Sequence, residues 1–175
     1  MSHLKLIKPT ASLQDAYMDF YHEWVSSGEE IIPAALRKDP ANFDQLVQHL
    51  LNIEEGIGLQ EGYVPASTRW LVDEKYKILG ACNIRHDLTG PLLERGGHVG
   101  YGVRPSERGL GYATFILGES LKLLKALEVP RALVTCNDGN IASLRVIEKN
   151  NGMQGLPFTE EDGNVVRRYW IDLRE

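Results

Sequence analysis

The chain has 175 residues, 43% hydrophobic and 8% aromatic, and a formal net charge of −5. That length and composition describe one globular domain over 1–175 with enough chain for a proper core, and they exclude a disordered polymer. The negative balance excludes nucleic-acid binding by bulk charge, and no run of about 18 apolar residues is present to span a membrane.

The opening Met1-Ser2-His3-Leu4-Lys5 lacks the apolar block of a secretion signal, so a cytoplasmic location is expected. Leu4 to Ile7 reads as a short strand, broken at Pro9-Thr10. Ser12, with Asp15 three residues on, is expected to cap a helix. Leu13, Ala16, Tyr17, Phe20 and Trp24 recur at helical spacing until Ser26-Ser27-Gly28. An irregular stretch punctuated by Pro33 and Pro40 follows. Phe43, Leu46, Val47, Leu50 and Leu51 form a second helical stripe, and Gly56, Gly58, Gly62 and Pro65 a loop.

Arg69 to Asp73 and Ile78 to Arg85 read as a hairpin around a polar turn. A loop over 88–97 leads to a strand, His98 to Val103. A helix is predicted from Tyr112 to Glu128, burying Ala113, Leu117, Leu121, Leu124 and Leu127. Gly118 inside it costs about 1 kcal/mol against Ala and is expected to allow close packing on a sheet. Pro130 ends the helix. A strand over Ala132 to Cys136, a helix from Ile141 and a last strand over Val165 to Leu173 complete the chain. The order β-α-α-β-β-β-α-β-α-β predicts an α/β (α+β) fold with a mixed, mostly antiparallel central sheet and helices on both faces. Cys82 and Cys136 sit in apolar strand runs without C-x-x-C spacing, so both read as buried packing and no metal site is expected.

Arg108-Gly109-Leu110-Gly111-Tyr112-Ala113 carries the strongest chemical signal. It joins a strand to a helix N-terminus, where unpaired N–H groups and the helix dipole attract anions. Glycine lets a backbone approach a ligand closely, and Arg104 and Arg108 add positive charge. A pyrophosphate is the natural guest. A P-loop would need Lys after Gly111. A dinucleotide fingerprint would need a third glycine at Thr114 and an acidic residue at the tip of the next strand, which ends Thr135-Cys136. The remaining pattern, R-x-x-G-x-G/A, is met by Arg108, Gly111 and Ala113.

With Gly97-His98-Val99-Gly100-Tyr101-Gly102-Val103 upstream, and Asn140-Ile141-Ala142-Ser143 and Glu148-Lys149-Asn150-Asn151-Gly152-Met153 downstream, the chain resembles the GNAT N-acetyltransferase superfamily over residues 70 to 153. The resemblance implies the acyl-CoA N-acyltransferase fold. In that fold the strands His98–Val103 and Ala132–Cys136 splay apart to admit the pantetheine arm. It implies acetyl-CoA as co-substrate, held by Arg108, Gly109, Leu110, Gly111, Tyr112 and Ala113. The N–H groups of Val103 and Tyr101 would bind the arm, with Asn140 and Ser143 supporting it. The implied reaction is direct attack of a primary amine, from a small molecule or a peptide, on the thioester. Homodimers are common in the family.

Such a reaction needs positioning, donors for the developing oxyanion, a base and an acid. His98 stands where many relatives carry a Glu base, and an imidazole suits that work. His86 and Glu94 are the alternative bases. Many relatives carry a Tyr acid where this chain has Ile147, which leaves water or another tyrosine; Tyr101 is the candidate acid. Trp24, Phe43, Tyr63 and Phe158 are candidate lining for an acceptor pocket, and Glu54-Glu55 and Glu160-Glu161-Asp162 candidate attractors of an amine. The missing Tyr keeps a non-catalytic, coenzyme-binding sensor open as an alternative, beside a peptide or ribosomal-protein acetyltransferase.

Overall fold

The computed structural model describes residues 3–174. Its elements run β1 (Lys5–Ile7), α1 (Gln14–Ser27), α2 (Phe43–Glu54), β2 (Ala66–Val72), β3 (Ile78–Arg85), β4 (Val99–Val103), α3 (Tyr112–Ala126), β5 (Arg131–Asn137), α4 (Ile141–Lys149), β6 (Met153–Gln154), β7 (Phe158–Thr159) and β8 (Val165–Asp172). The strands form two antiparallel sheets rather than one. One has the order β1-β2-β3-β4; in the other β8 pairs with β5, β6 and β7. β6 and β7 were not expected, because two-residue strands leave no periodicity to read.

Alternation along the strands sends neighbouring side chains to opposite faces. Trp70, Val72, Ile78 and Ala81 meet Tyr17, Phe20, Trp24 and Leu36 under α1 and α2. Leu71, Leu79, Cys82 and Ile84 meet Ile116, Leu117, Leu124 and Ile147 of α3 and α4. Helices therefore cover both faces, as the element order requires. The Trp70 ring lies 5.0 Å from that of Tyr17 and 6.2 Å from that of Phe43.

Local chemistry explains most boundaries. Asn42 caps α2 by accepting the Gln45 N–H at 3.1 Å. Asp73 Oδ1 accepts the N–H groups of Lys75 and Lys77, both at 2.9 Å, and closes the β2–β3 turn. Thr10, not Ser12, does the capping at the first helix, accepting the Ser12 N–H for a 3-10 turn that precedes α1. In α3 the buried positions are Ile116, Leu117, Ser120 and Leu124, while Leu127 lies past the helix end and is exposed. Gly118 faces α4 rather than a sheet. A Cβ there would lie 3.2 Å from Asn150 Oδ1, and Asn150 Nδ2 donates to Thr114 O at 3.3 Å.

Arg104, just past β4, ties α1 to the sheet. It is 4% exposed, with Nε donating to Glu23 at 2.7 Å, Nη2 to Asp19 at 2.9 Å and Nη1 to Ile78 O at 3.2 Å. Burial alone would raise the Glu23 carboxyl, but the bonds from Arg104 and Ser106 outweigh it and hold the group at about 2. Arg104→Ala should cost about 2 kcal/mol in urea unfolding. In the native chain Glu23 stays ionised where the unfolded chain takes up a proton, so its contribution is whole above pH 4.5 and disappears as pH falls toward about 2. The variant should lose part of that acid slope. An unchanged unfolding midpoint at neutral pH would contradict the role given to Arg104.

Candidate functional site

Two strands begin together and then part. The His98 N–H donates to Leu133 O at 2.7 Å, and the Leu133 N–H donates to His98 Nδ1 at 2.9 Å. Gly97 makes the approach possible. Its φ is +63°, and a Cβ there would lie 2.7 Å from Leu133 O. Beyond this point β4 pairs only with β3, and β5 only with β8. Gly100 and Gly102 lie in the ladder positions that bond to β3, flanked by the bonds Arg85 N to His98 O and Arg104 N to Leu79 O. Successive residues of an antiparallel strand alternate in direction. The N–H groups of Tyr101 and Val103 therefore point away from β3, into the split.

His98 is 4% exposed. Burial lowers its imidazole to about 4, with Arg85 adding to the fall and Asp87 opposing it. A neutral ring whose Nδ1 accepts the Leu133 N–H carries its proton on Nε2. No lone pair is left for an ammonium proton. The expected base is thus committed to holding the two strands together.

The glycine turn is formed as the motif requires. Gly109 has φ +80° and Gly111 φ +85°, in the left-handed region that costs other residues about 1–2 kcal/mol. Gly111 caps α3 without any side-chain bond, so the first-turn N–H groups stay available to a ligand. Leu110 is 58% exposed on the turn, while Tyr112 and Ala113 pack partly against the core. Arg108 lies over Trp24, 5.1 Å from the ring centre. Its Nη1 and Nη2 donate to the two Glu29 oxygens at 2.9 and 2.7 Å, and its Nε to Val103 O at 3.3 Å. That bond from Arg108 holds the Glu29 carboxyl below its ordinary range. The second expected cation, Arg104, is turned into the protein and spent on Asp19 and Glu23.

Across the split, Asn140 caps α4 by accepting the Ser143 N–H at 3.1 Å. The Tyr101 hydroxyl is buried and, among the described residues, makes no hydrogen bond. Burial pushes this phenol up to about 12, and Ser143 stands near enough to oppose the shift without reaching bonding geometry. An orphaned, protonated hydroxyl at a strand split beside an uncapped helix start suits a polar arm carrying a pyrophosphate. Ile147 is fully buried in the core below. Cys82 and Cys136 are buried free thiols, both raised by burial. Among the described residues no group of three or more His, Cys, Asp or Glu is placed to hold a metal ion.

A cavity of about 670 Å³ opens on the α1/α2 face. Thr68, Asn83 and Arg85 form its polar floor, with His49, Tyr63 and Leu92 among its walls. It adjoins β4 through Asn83, which pairs with Gly100. Of the expected acceptor aromatics only Tyr63 lines it. Trp24 and Phe43 are core, and Phe158 lines a separate cavity of about 500 Å³ with Glu94, Glu160, Glu161 and Asp162. Glu94 is therefore outside the larger cavity. Glu54 is bound by Arg69 at 2.7 Å and Lys8 at 3.0 Å. His86 Nε2 is paired with Ser67 Oγ at 2.8 Å. His49, unassigned by sequence reasoning, lines the cavity and has no hydrogen-bond partner among the described residues. Burial, with Lys38 adding to it, lowers its imidazole from the ordinary 6.5. The signal that could have found the floor is polar residues at alternate positions, Asn83 and Arg85, inside an apolar strand.

A family model described as an acetyltransferase (GNAT) domain matches residues 4–154. No curated protein matches the chain in sequence. Among solved structures, a ribosomal-protein-S5-alanine acetyltransferase from Vibrio fischeri is similar, with a TM-score of 0.75 at 15% identity, covering 100% of this chain and 96% of that one. RimL, a ribosomal L7/L12 alpha-N-protein acetyltransferase in complex with coenzyme A, has a TM-score of 0.73 at 15% identity, covering 100% and 97%. A spermidine/spermine N-acetyltransferase from Vibrio cholerae has a TM-score of 0.65 at 13% identity, covering 99% and 95%.

The role of His98 as a strand pin has its own signature. His98→Ala strands a buried N–H and should cost about 1–3 kcal/mol, with partial recovery in His98→Asn, whose amide oxygen can accept. The native ring binds its proton only near pH 4, against 6.5 when unfolded, so stability falls as pH drops through that window. Both variants should lose that slope in urea unfolding. A slope that survives them would contradict the assignment.

Proposed function

The chain belongs to the acetyltransferase (GNAT) domain family, and from that premise we propose that it moves an acetyl group from acetyl-CoA to a primary amine seated in the larger cavity. The observation that carries this reading is the uncapped left-handed glycine turn, Gly109 to Gly111, one short 3-10 turn after the strand that leaves the split. Bound acetyl-CoA supplies an activated thioester carbonyl. The first-turn N–H groups of α3 hold the pyrophosphate against the positive end of the helix dipole. Arg108 exchanges Glu29 for phosphate, a charge-assisted and bidentate partner of the same geometry. The N–H groups of Tyr101 and Val103 donate into the split, to the arm and the thioester oxygen. The amide nitrogen of Asn140 and the Ser143 hydroxyl line its other side.

The amine approaches from the cavity past Asn83, at the Gly100 end of β4 and short of the Ile32 backbone that covers Gly102. His49 takes its proton through cavity water. Tyr101 keeps its own proton at neutral pH, because burial raises the phenol, and supplies it to the leaving sulfur. Ile147 has no proton to give, so Tyr101 does the work that position performs elsewhere in the family. A concave cavity of about 670 Å³ suits a small amine better than a folded protein surface.

The test pairs calorimetry of acetyl-CoA binding with release of free thiol on a panel of primary amines. Gly111→Val should weaken acetyl-CoA binding at least about tenfold, since a β-branched residue resists φ above zero. His49→Gln should leave that binding intact and lower kcat/KM about 100-fold, removing an acid limb that lies below the ordinary pH 6.5. Coenzyme binding with no thiol release on any amine would support a non-catalytic binding module and defeat the transferase reading.

A further inference from the structure

Two arginines are drawn deep into this domain and neutralised, and a third, Arg85, is half-buried. Arg69, 8% exposed, meets Glu54 at 2.7 Å, and Arg104, 4% exposed, meets Asp19 at 2.9 Å. Arg85 is the exception. Among the described residues it has no carboxylate partner; its only side-chain bonds run from Nη1 to Gly96 O at 3.1 Å and Gly97 O at 3.0 Å. Its Nε and Nη2 make no hydrogen bond, and neither is sealed from solvent as an orphan. Arg85 lines the larger cavity, whose floor it shares with Thr68 and Asn83. Nη2 lies 3.9 Å from where a Cβ would stand on Gly100, so the free end of the guanidinium overhangs β4.

A half-buried cation without a counter-ion gains from an anion that completes it. The protein offers none here. Glu61, the carboxylate in the cavity lining, is exposed at the mouth, and Asp87 is exposed beyond the end of β3. Burial disfavours the charged form of His49, so that ring adds little charge. Two carbonyls already fix one nitrogen of the guanidinium fork, which leaves the other two aligned and pre-organised. A planar pair of N–H donors matches a carboxylate.

Resting on the transferase reading above, we propose that Arg85 is a specificity determinant, and that the acceptor is a small amine bearing a carboxylate, of the amino-acid class. The carboxylate pairs with Nε and Nη2 of Arg85. The amine then points from the Gly100 end of β4 toward the split. Thr68 and Asn83 supply neutral hydrogen bonds beside the pair. The same cation repels polyamines, so the site selects against them by like charge.

The experiment compares matched acceptors in the full chain, each amino acid against its own carboxamide and its own decarboxylated amine, with acetyl-CoA binding measured in parallel. The wild type should favour the carboxylate member by about 10- to 100-fold in kcat/KM, the range for a hydrogen-bonded charge. Arg85→Gln should bring that ratio close to one. Asn83→Asp, which sets a negative charge two residues along the same strand face, should lower the ratio while keeping the Arg85 bonds to Gly96 and Gly97. Loss of fold in either variant would lower all acceptors together and leave the ratio standing, so the ratio is the deciding readout. Equal rates on the matched acceptors, a preference that survives both variants, or transfer only to peptide N-termini without regard to a carboxylate would overturn the assignment while the coenzyme still binds. Failure of acetyl-CoA to bind at all would bring down the underlying reading instead.

Discussion

Everything in this fold that bears on chemistry depends on one contact, the meeting of His98 with Leu133. At that point two sheets are held together by two hydrogen bonds, at 2.7 and 2.9 Å, and a glycine that admits no side chain. Past it, β4 and β5 each keep one ladder edge unpaired along the facing side. Open strand edges are reactive surfaces, ready to bond whatever presents complementary groups. Here the two edges diverge from a fixed origin, so the gap has a defined width and direction. A histidine is well suited to fix that origin. Its burial keeps it neutral, and its Nδ1 supplies the acceptor that the Leu133 amide would otherwise lack.

The same strand divides the candidate site into two rooms. On the α3/α4 side lie Tyr101, Val103 and the glycine turn; on the α1/α2 side lies the cavity floored by Asn83 and Arg85. Gly100 and Gly102 form the wall between them. A Cβ on Gly102 would run into Ile32 O, so the segment between α1 and α2 rests directly on backbone. Gly102 is therefore closed on the cavity side, and the cavity comes nearest to β4 at Asn83, the partner of Gly100. Arg108 belongs to both rooms through Glu29, because its partner sits in the segment that leads to the cavity walls Ala34 and Ala35.

Much of this was legible in the residues. The order of the longer elements, the hairpin bounds at Ile78 and Arg85, and the strand-to-helix glycine turn all followed from period and punctuation, because those signals are local. The failures were of another kind. Arg104 and Arg108 are adjacent in motif logic, yet one is buried on α1 and the other faces Glu29; only the packing of α1 separates them. His98 carries the chemistry of a base, but the Leu133 amide that occupies it lies 35 residues away. His49 and Arg85 lie on different elements, and nothing local joins them. Their common cavity exists only once α2 lies over β2 and β3. Leu127 was lost to a helix end set by the turn before Pro130, where Glu128 takes φ +61°.

The central claim is that the split beyond His98, with the turn that follows β4, is where the coenzyme lies. Amide hydrogen exchange with and without acetyl-CoA tests it most directly, since the claim concerns named backbone N–H groups. The account predicts added protection at Tyr101 and Val103, across Gly109 to Thr114 and at Ile141 to Ser143, with little change in β1, β2 and α2. Protection absent from those amides, or centred on the cavity walls of α2 instead, would contradict it.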